Sequence, residues 1–362
     1  MPRLFLAPLL LLGLLVLVNC VPKDAPTADG PLKAAAPFPV GAALNPNLLR
    51  QNATYRTVAQ GEFSGVTSEN HLKPGVLVRA DGSYAWENAD YLVQFAQENG
   101  QRFHGHTLCW YQQAPTAYLR TLGGDSAKLE AFLKAHVTTV MQRYRGKIKS
   151  WDVLNEYFAD RTGQIRRSSG GSDSSTHFHW VRYLGPDFVA RLFRYARQAD
   201  PDALLFYNDY SQETDEKKLA AILAMAADFK RRGVPLDGLG LQMHISINTP
   251  NAGIENAIRQ CAATGLKIHI SELDVKVNPS RQSPFTLTDD LARQQADKVR
   301  FVVQTYRRLV PPAQQWGITQ WNVGDADSWI PKWEKADDFP TLFDTQYGKK
   351  KAYFAFLEAL KQ

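Results

Sequence analysis

Two glutamates close apolar runs in this chain of 362 residues: Trp151-Asp152-Val153-Leu154-Asn155-Glu156 and Ile270-Ser271-Glu272-Leu273-Asp274. Two carboxyl groups facing one pocket from different strands are what glycoside hydrolysis requires. One gives a proton to the leaving oxygen, and the other meets the developing oxocarbenium centre. Either glutamate alone would be an ordinary loop-end residue or ion-pair partner. Their neighbours change that. Asn155, next to Glu156, could hydrogen-bond a sugar 2-hydroxyl beside the reacting carbon. Gly240-Leu241-Gln242-Met243-His244 brings an amide and an imidazole to the end of another run. There His244 could hold Glu272 ionised while Asp274 orients the imidazole from behind.

Such groups need a scaffold whose strand ends converge. Eight β-rich runs punctuate the chain: Val40–Leu44, Phe63–Thr67, Phe103–Cys109, Ile148–Leu154, Leu204–Tyr207, Leu239–Met243, Lys267–Ile270 and Gly317–Trp321. Helical patterns separate them. From Leu129, the residues Phe132, Leu133, Val137, Val140, Met141 and Tyr144 recur at the helical period, with Asp125 placed as a cap. Eight strand–helix units predict an α/β protein, a single (β/α)8 barrel over residues 38–362 with its chemistry at the carboxyl ends of the strands. Neither G-x-G-x-x-G nor a P-loop is present.

Composition excludes disordered, collagenous and disulfide-scaffold classes. Against 36 acidic residues stand 42 basic ones, a mild excess. Its small clusters, Lys230-Arg231-Arg232 and Lys349-Lys350-Lys351, fall in helical, outer-ring contexts, so no nucleic-acid partner is expected. Cys109 and Cys261 lack metal-ligand spacing and are expected to be buried free thiols. No metal and no cofactor is implied.

Residues 1–19 read as a signal peptide, with Arg3 before an apolar run from Leu4 to Val18 that is short for a membrane span. The run closes Leu17-Val18-Asn19-Cys20 and resembles a bacterial lipoprotein signal, although Asn19 replaces the usual small residue. The expectation is an exported chain, either anchored through a lipidated Cys20 or released. Residues 20–37 would form a flexible Pro/Ala-rich tether.

Six motifs in order, each closing the expected run, resemble glycoside hydrolase family 10, the retaining endo-β-1,4-xylanases. They are Thr67-Ser68-Glu69-Asn70-His71-Leu72-Lys73, Gly105-His106-Thr107-Leu108-Cys109-Trp110, Trp151 to Glu156, Tyr207-Asn208-Asp209-Tyr210, Gly240 to His244, and Ser271 to Asp274. A seventh stretch runs from Gly317 through Trp321 to Asp327-Ser328-Trp329. The resemblance covers about residues 38–360. It implies Glu156 as acid/base and Glu272 as nucleophile. It places Glu69, Asn70 and Lys73 on the sugar one unit beyond the cleaved one, and His106, Trp110, Asn155, Gln242 and His244 around the reacting sugar. Trp321 and Trp329 would be the aromatic wall and roof, whereas Trp151 and Trp316 read as core. Xylan and xylo-oligosaccharides are the implied substrates, and the enzyme is expected to be a monomer.

Tyr111, Pro74 and the Ser/Gly-rich stretch 163–180 depart from the family pattern, all without removing a reacting group. Two other readings stay open: a β-1,4-glucanase of related barrel type, and a non-catalytic surface carbohydrate-binding protein. The Glu69/Asn70/Lys73 trio speaks for xylose over glucose.

Overall fold

A computed structural model describes residues 30–166 and 173–361, together with Met1 and Pro2. Eight parallel strands form the centre: β1 (Val40–Leu44), β2 (Gly65–Ser68), β3 (Arg102–His106), β4 (Ile148–Asn155), β5 (Leu204–Asp209), β6 (Gly238–Leu241), β7 (Lys267–Lys276) and β8 (Gln315–Gln320). Neighbours in sequence pair in parallel, with register shifts between β3 and β4, β4 and β5, and β7 and β8, and β8 on β1 closes the ring. This is the (β/α)8 barrel that the alternation predicts. A short strand, His244–Ser246, pairs with the distal end of β7 and sets His244 opposite Asp274.

Strands buried on both faces explain the near-continuous apolar runs. Helix Ser126–Arg143 covers one side, burying Leu129, Leu133, Val137, Val140 and Met141. Asp125 caps it, accepting from the backbone of Ala127 at 2.9 Å and Lys128 at 3.1 Å, as its position predicts. Trp151 is fully buried, and a Cβ on Gly105 would stand 2.2 Å from its ring, so that glycine is needed for close packing. At the barrel floor Trp316 is half-buried. Its indole lies under the Arg102 guanidinium, 3.8 Å away, and donates to Ser150 Oγ at 3.1 Å.

The tether boundary needs correction. Residues 1–19, Cys20 and most of the expected tether lie outside the described residues, but Leu32–Ala35 forms a helical turn that belongs to the barrel. Leu32 is fully buried, and its backbone N–H donates to Glu62 at 3.1 Å. Glu62 is in turn held by Tyr353 and Lys349. Composition hid this contact because its partners come from distant parts of the sequence.

Cys109 and Cys261 are buried free thiols, as expected. The basic clusters are largely paired: Lys349 with Glu62, Lys350 with Asp325, Lys351 with Asp289, and Arg231 and Arg232 with Asp228. Among the described residues no helix is long and apolar enough to cross a membrane.

Candidate active site

The carboxyl ends of the strands open into a cleft of about 400 Å³. It is lined by Glu69, Asn70, Lys73, His106, Trp110, Asn155, Glu156, Gln242, His244, Glu272, Trp321 and Trp329. Every candidate named from sequence except Asp274 reaches this surface, and Asp274 stands directly behind His244.

Glu156 follows β4 with a left-handed backbone, φ 56°. A non-glycine residue there costs about 1–3 kcal/mol and needs support. Its N–H donates to Asn208 O at 2.9 Å, and the N–H of Tyr157 donates to the Tyr207 hydroxyl at 3.0 Å. Three neutral donors then hold the carboxylate. Trp110 Nε1 reaches Oε2 at 2.9 Å, while Gln242 Nε2 and Asn155 Nδ2 reach Oε1 at 3.0 and 3.2 Å. Burial pushes its pKa up, and the charges of Asp209 and Glu272 add to this against the donors.

Glu272, within β7, has different company. Asn208 Nδ2 donates to Oε1 at 2.7 Å and His244 Nε2 to Oε2 at 3.2 Å. Burial would raise its pKa, but the fields of His106, His244 and Lys73 and the His244 hydrogen bond hold it below the usual range. His244 Nδ1 lies 2.7 Å from Asp274 Oδ2, which also accepts from Trp329 Nε1 at 3.0 Å. Burial opposes charge on that imidazole. Asp274 and Glu272 prevail and carry its pKa up to about 10, so it is an imidazolium at neutral pH, donating from both nitrogens.

His106 is fixed by Asp152, 2.8 Å from its Nδ1, and His104 meets the other oxygen of that carboxylate at 3.1 Å. Lys73 donates to Asn70 at 3.2 Å and stands over the rings of Trp110 and Trp321. Burial lowers its pKa against the pull of Glu272, Glu69 and Glu156. Glu69 accepts from Asn45 at 3.1 Å. Of the departures from the family pattern, Pro74 opens the short helix Pro74–Leu77, and Tyr111 lies under the Arg166 guanidinium at 4.5 Å. Part of the 163–180 stretch, residues 167–172, lies outside the described residues.

The sequence reading assigned no role to Asn208, the hinge of the site. Its Nδ2 serves both Asn155 Oδ1, at 3.0 Å, and Glu272, while its Oδ1 accepts from Ser271 at 2.6 Å. Register puts it beside Asn155, and Gly240 makes room for it: a Cβ there would stand 2.2 Å from Asn208 Oδ1. Asp152 and Tyr210 were also passed over as site residues; Tyr210 lines the cleft.

The pattern of glycosyl hydrolase family 10 matches residues 32–359. The chain belongs to glycosyl hydrolase family 10. Among its family relatives, the endo-1,4-beta-xylanase of Geobacillus stearothermophilus is 31% identical over 88% of this chain and 94% of its own length. Endo-1,4-beta-xylanase A of Cellvibrio japonicus (strain Ueda107) is 34% identical over 92% of this chain. The chain spans 57% of that relative and from 27% to 57% of the first curated relatives it matches. Native xylanase10C from Cellvibrio japonicus superposes with a TM-score of 0.83 at 32% identity, covering 94% of this chain and 75% of that one. A mutant of that xylanase, solved in complex with xylopentaose, also gives 0.83, at 31% identity over 92% of this chain and 70% of its own.

Proposed function

We propose that this chain is a retaining endo-1,4-β-xylanase acting on internal bonds of xylan. The observation that carries the reading is the opposed environment of two buried carboxyl groups in one cleft. Glu272, its pKa held low, attacks the anomeric carbon, while Glu156, its pKa raised by burial, gives its proton to the glycosidic oxygen. The C1–O bond breaks, and a glycosyl ester forms on Glu272. That ester no longer carries charge, so Glu156 becomes more acidic. As a carboxylate it takes a proton from water, which attacks C1 and releases the sugar with its starting configuration. Asn155, aligned by Asn208, would hold the 2-hydroxyl side, and Trp321 and Trp329 would offer flat faces to the C–H surface of the ring. Glu69, Asn70 and Lys73 would bind the next unit.

The test is digestion of xylan and of a soluble cellulose derivative, with product length and anomeric configuration followed over time. Internal cleavage of xylan with β-products appearing first supports the reading. Initial α-products would exclude retention, and faster cleavage of the cellulose derivative would favour a glucanase. The leading apolar run supports export as part of the proposal, with Cys20 as the lipid acceptor. Mass spectrometry of the mature amino terminus separates anchoring from release.

A further inference from the structure

Two of the departures from the family pattern, Tyr111 and the Ser/Gly-rich stretch, meet beside Glu156. Residues 173–183 end that stretch, enter the helix Trp180–Leu184 and lie across the loop that carries Trp110 and Tyr111 out of β3. The Phe178 N–H donates to Tyr111 O at 2.7 Å, Gln112 forms an antiparallel bridge with His177, and Thr116 Oγ1 donates to Ser175 O at 2.6 Å. Trp180 Nε1 donates to the Trp110 carbonyl at 3.4 Å. Side chains alternate as in an extended strand. Phe178 and Trp180 are buried, while the rings of His177 and His179 lie 5.5 and 5.7 Å from that of Tyr111. One segment thus holds the backbone carbonyls of both Trp110 and Tyr111.

A single carboxylate ties that segment to itself. Asp173, whose side chain is 9% exposed, accepts from the His179 N–H at 2.9 Å and lies 3.0 Å from His179 Nδ1. Its other oxygen accepts from the Tyr183 hydroxyl at 2.7 Å, and the Tyr183 ring stacks on Phe178 with centroids 4.9 Å apart. Hydrogen bonds to an ionised acceptor are among the strong ones, and here they fix the loop in one shape. Resting on the xylanase reading, we propose that Asp173 is a positioning residue for the acid/base: it latches residues 173–183 over the Trp110–Tyr111 backbone and so keeps the Trp110 indole on Glu156. Asp173 lies outside the cleft lining and acts through Trp110, whose Nε1 reaches Glu156 at 2.9 Å.

The experiment compares xylan with a dinitrophenyl xylobioside, whose leaving group needs little protonation, for the native chain and Asp173→Ala. The variant should lose about tenfold in kcat on xylan, while pre-steady-state release of dinitrophenol should fall about twofold at most. The basic limb of kcat/KM should move up by about 0.4 pH unit, because a weakened Trp110 hydrogen bond raises the Glu156 pKa. Loss of a negative charge acts in the opposite sense, so a downward shift would mean that Asp173 works through its field and would overturn the proposal. Asp173→Asn keeps an acceptor for His179 and a donor for Tyr183, and should restore most of the rate on xylan. In a Trp110→Phe background, Asp173→Ala should add no further upward shift. Equal losses on both substrates, or a lower Tm with the basic limb unmoved, would make the tie a matter of folding alone and overturn the proposal while leaving the xylanase reading intact. A native chain that cleaves neither substrate overturns both.

Discussion

The two sides of the cleft treat a buried carboxyl group in opposite ways. Around Glu272 stand Lys73 and His244, the latter backed by Asp274, so positive charge is fixed close to it. Around the Glu156 carboxyl group the donors are neutral, an indole and two amides, and the carboxylates of Asp209 and Glu272 add to burial in raising its pKa. Burial acts on both alike. What separates them is whether the neighbouring donors carry charge, because in a water-poor site a fixed cation outweighs burial and a neutral dipole does not.

The sharpest way to break that contrast is to remove each carboxyl group in turn. Glu272→Ala should cost about 10⁴–10⁶ in kcat on every substrate, since no attacking group remains. Glu156→Ala should cost as much on xylan but far less in the first step on a dinitrophenyl xylobioside, whose leaving group needs little protonation. Pre-steady-state release of dinitrophenol reads the difference. Equal losses on that substrate would erase the proposed division of roles.

A smaller intervention weakens only the charge beside Glu272. Because that pKa is held low, the ionised form is present above it and is lost as pH falls through it. Asp274→Asn removes the partner that keeps His244 charged, so Glu272 should titrate higher and the acid limb of kcat/KM should move to higher pH. A fall in kcat of about 10²-fold is expected. The basic limb, set by Glu156, should stay in place. An acid limb that stays put would mean that the imidazolium does not set it.

Gly240→Ala strikes the bridge between the two sides. Its Cβ displaces Asn208, so Glu156 loses the alignment of Asn155 and Glu272 loses a 2.7 Å donor together. A loss of about ten- to a hundredfold in kcat with little change in KM is expected, close to that of Asn208→Ala. If Gly240→Ala were fully active while Asn208→Ala was not, the glycine would not be serving this contact.

How much was legible beforehand follows from how local each feature is. Glu156 and Glu272 could be read because each closes an apolar run, and a parallel barrel gathers such ends. Asn208 closes a run as well, but its importance depends on β4 register and on a missing side chain in β6, a coincidence of strands far apart in sequence. Trp110 was placed by family resemblance around the sugar; that its indole N–H serves Glu156 depends on ring orientation. Leu32 was lost to an Ala/Pro-rich context, since its partner Glu62 lies 30 residues away and is itself held by Tyr353 near the other end of the chain.

The smallest effect tests whether the neutral donors matter at all. Each side of the cleft has one indole N–H on its acidic network, Trp110 on Glu156 and Trp329 on Asp274. The Trp110 hydrogen bond lowers the Glu156 pKa, so Trp110→Phe should raise it, keep the proton to higher pH and move the basic limb upward. A net hydrogen bond of about 0.5–1.5 kcal/mol corresponds to a displacement of about 0.4–1 pH unit. Trp329→Phe touches only the His244 side and should leave that limb where it is. If both variants shifted the basic limb equally, the two environments would be coupled and the separation of the carboxyl groups would not come from their own donors. If neither did, burial and neighbouring charge alone would set the raised pKa of Glu156.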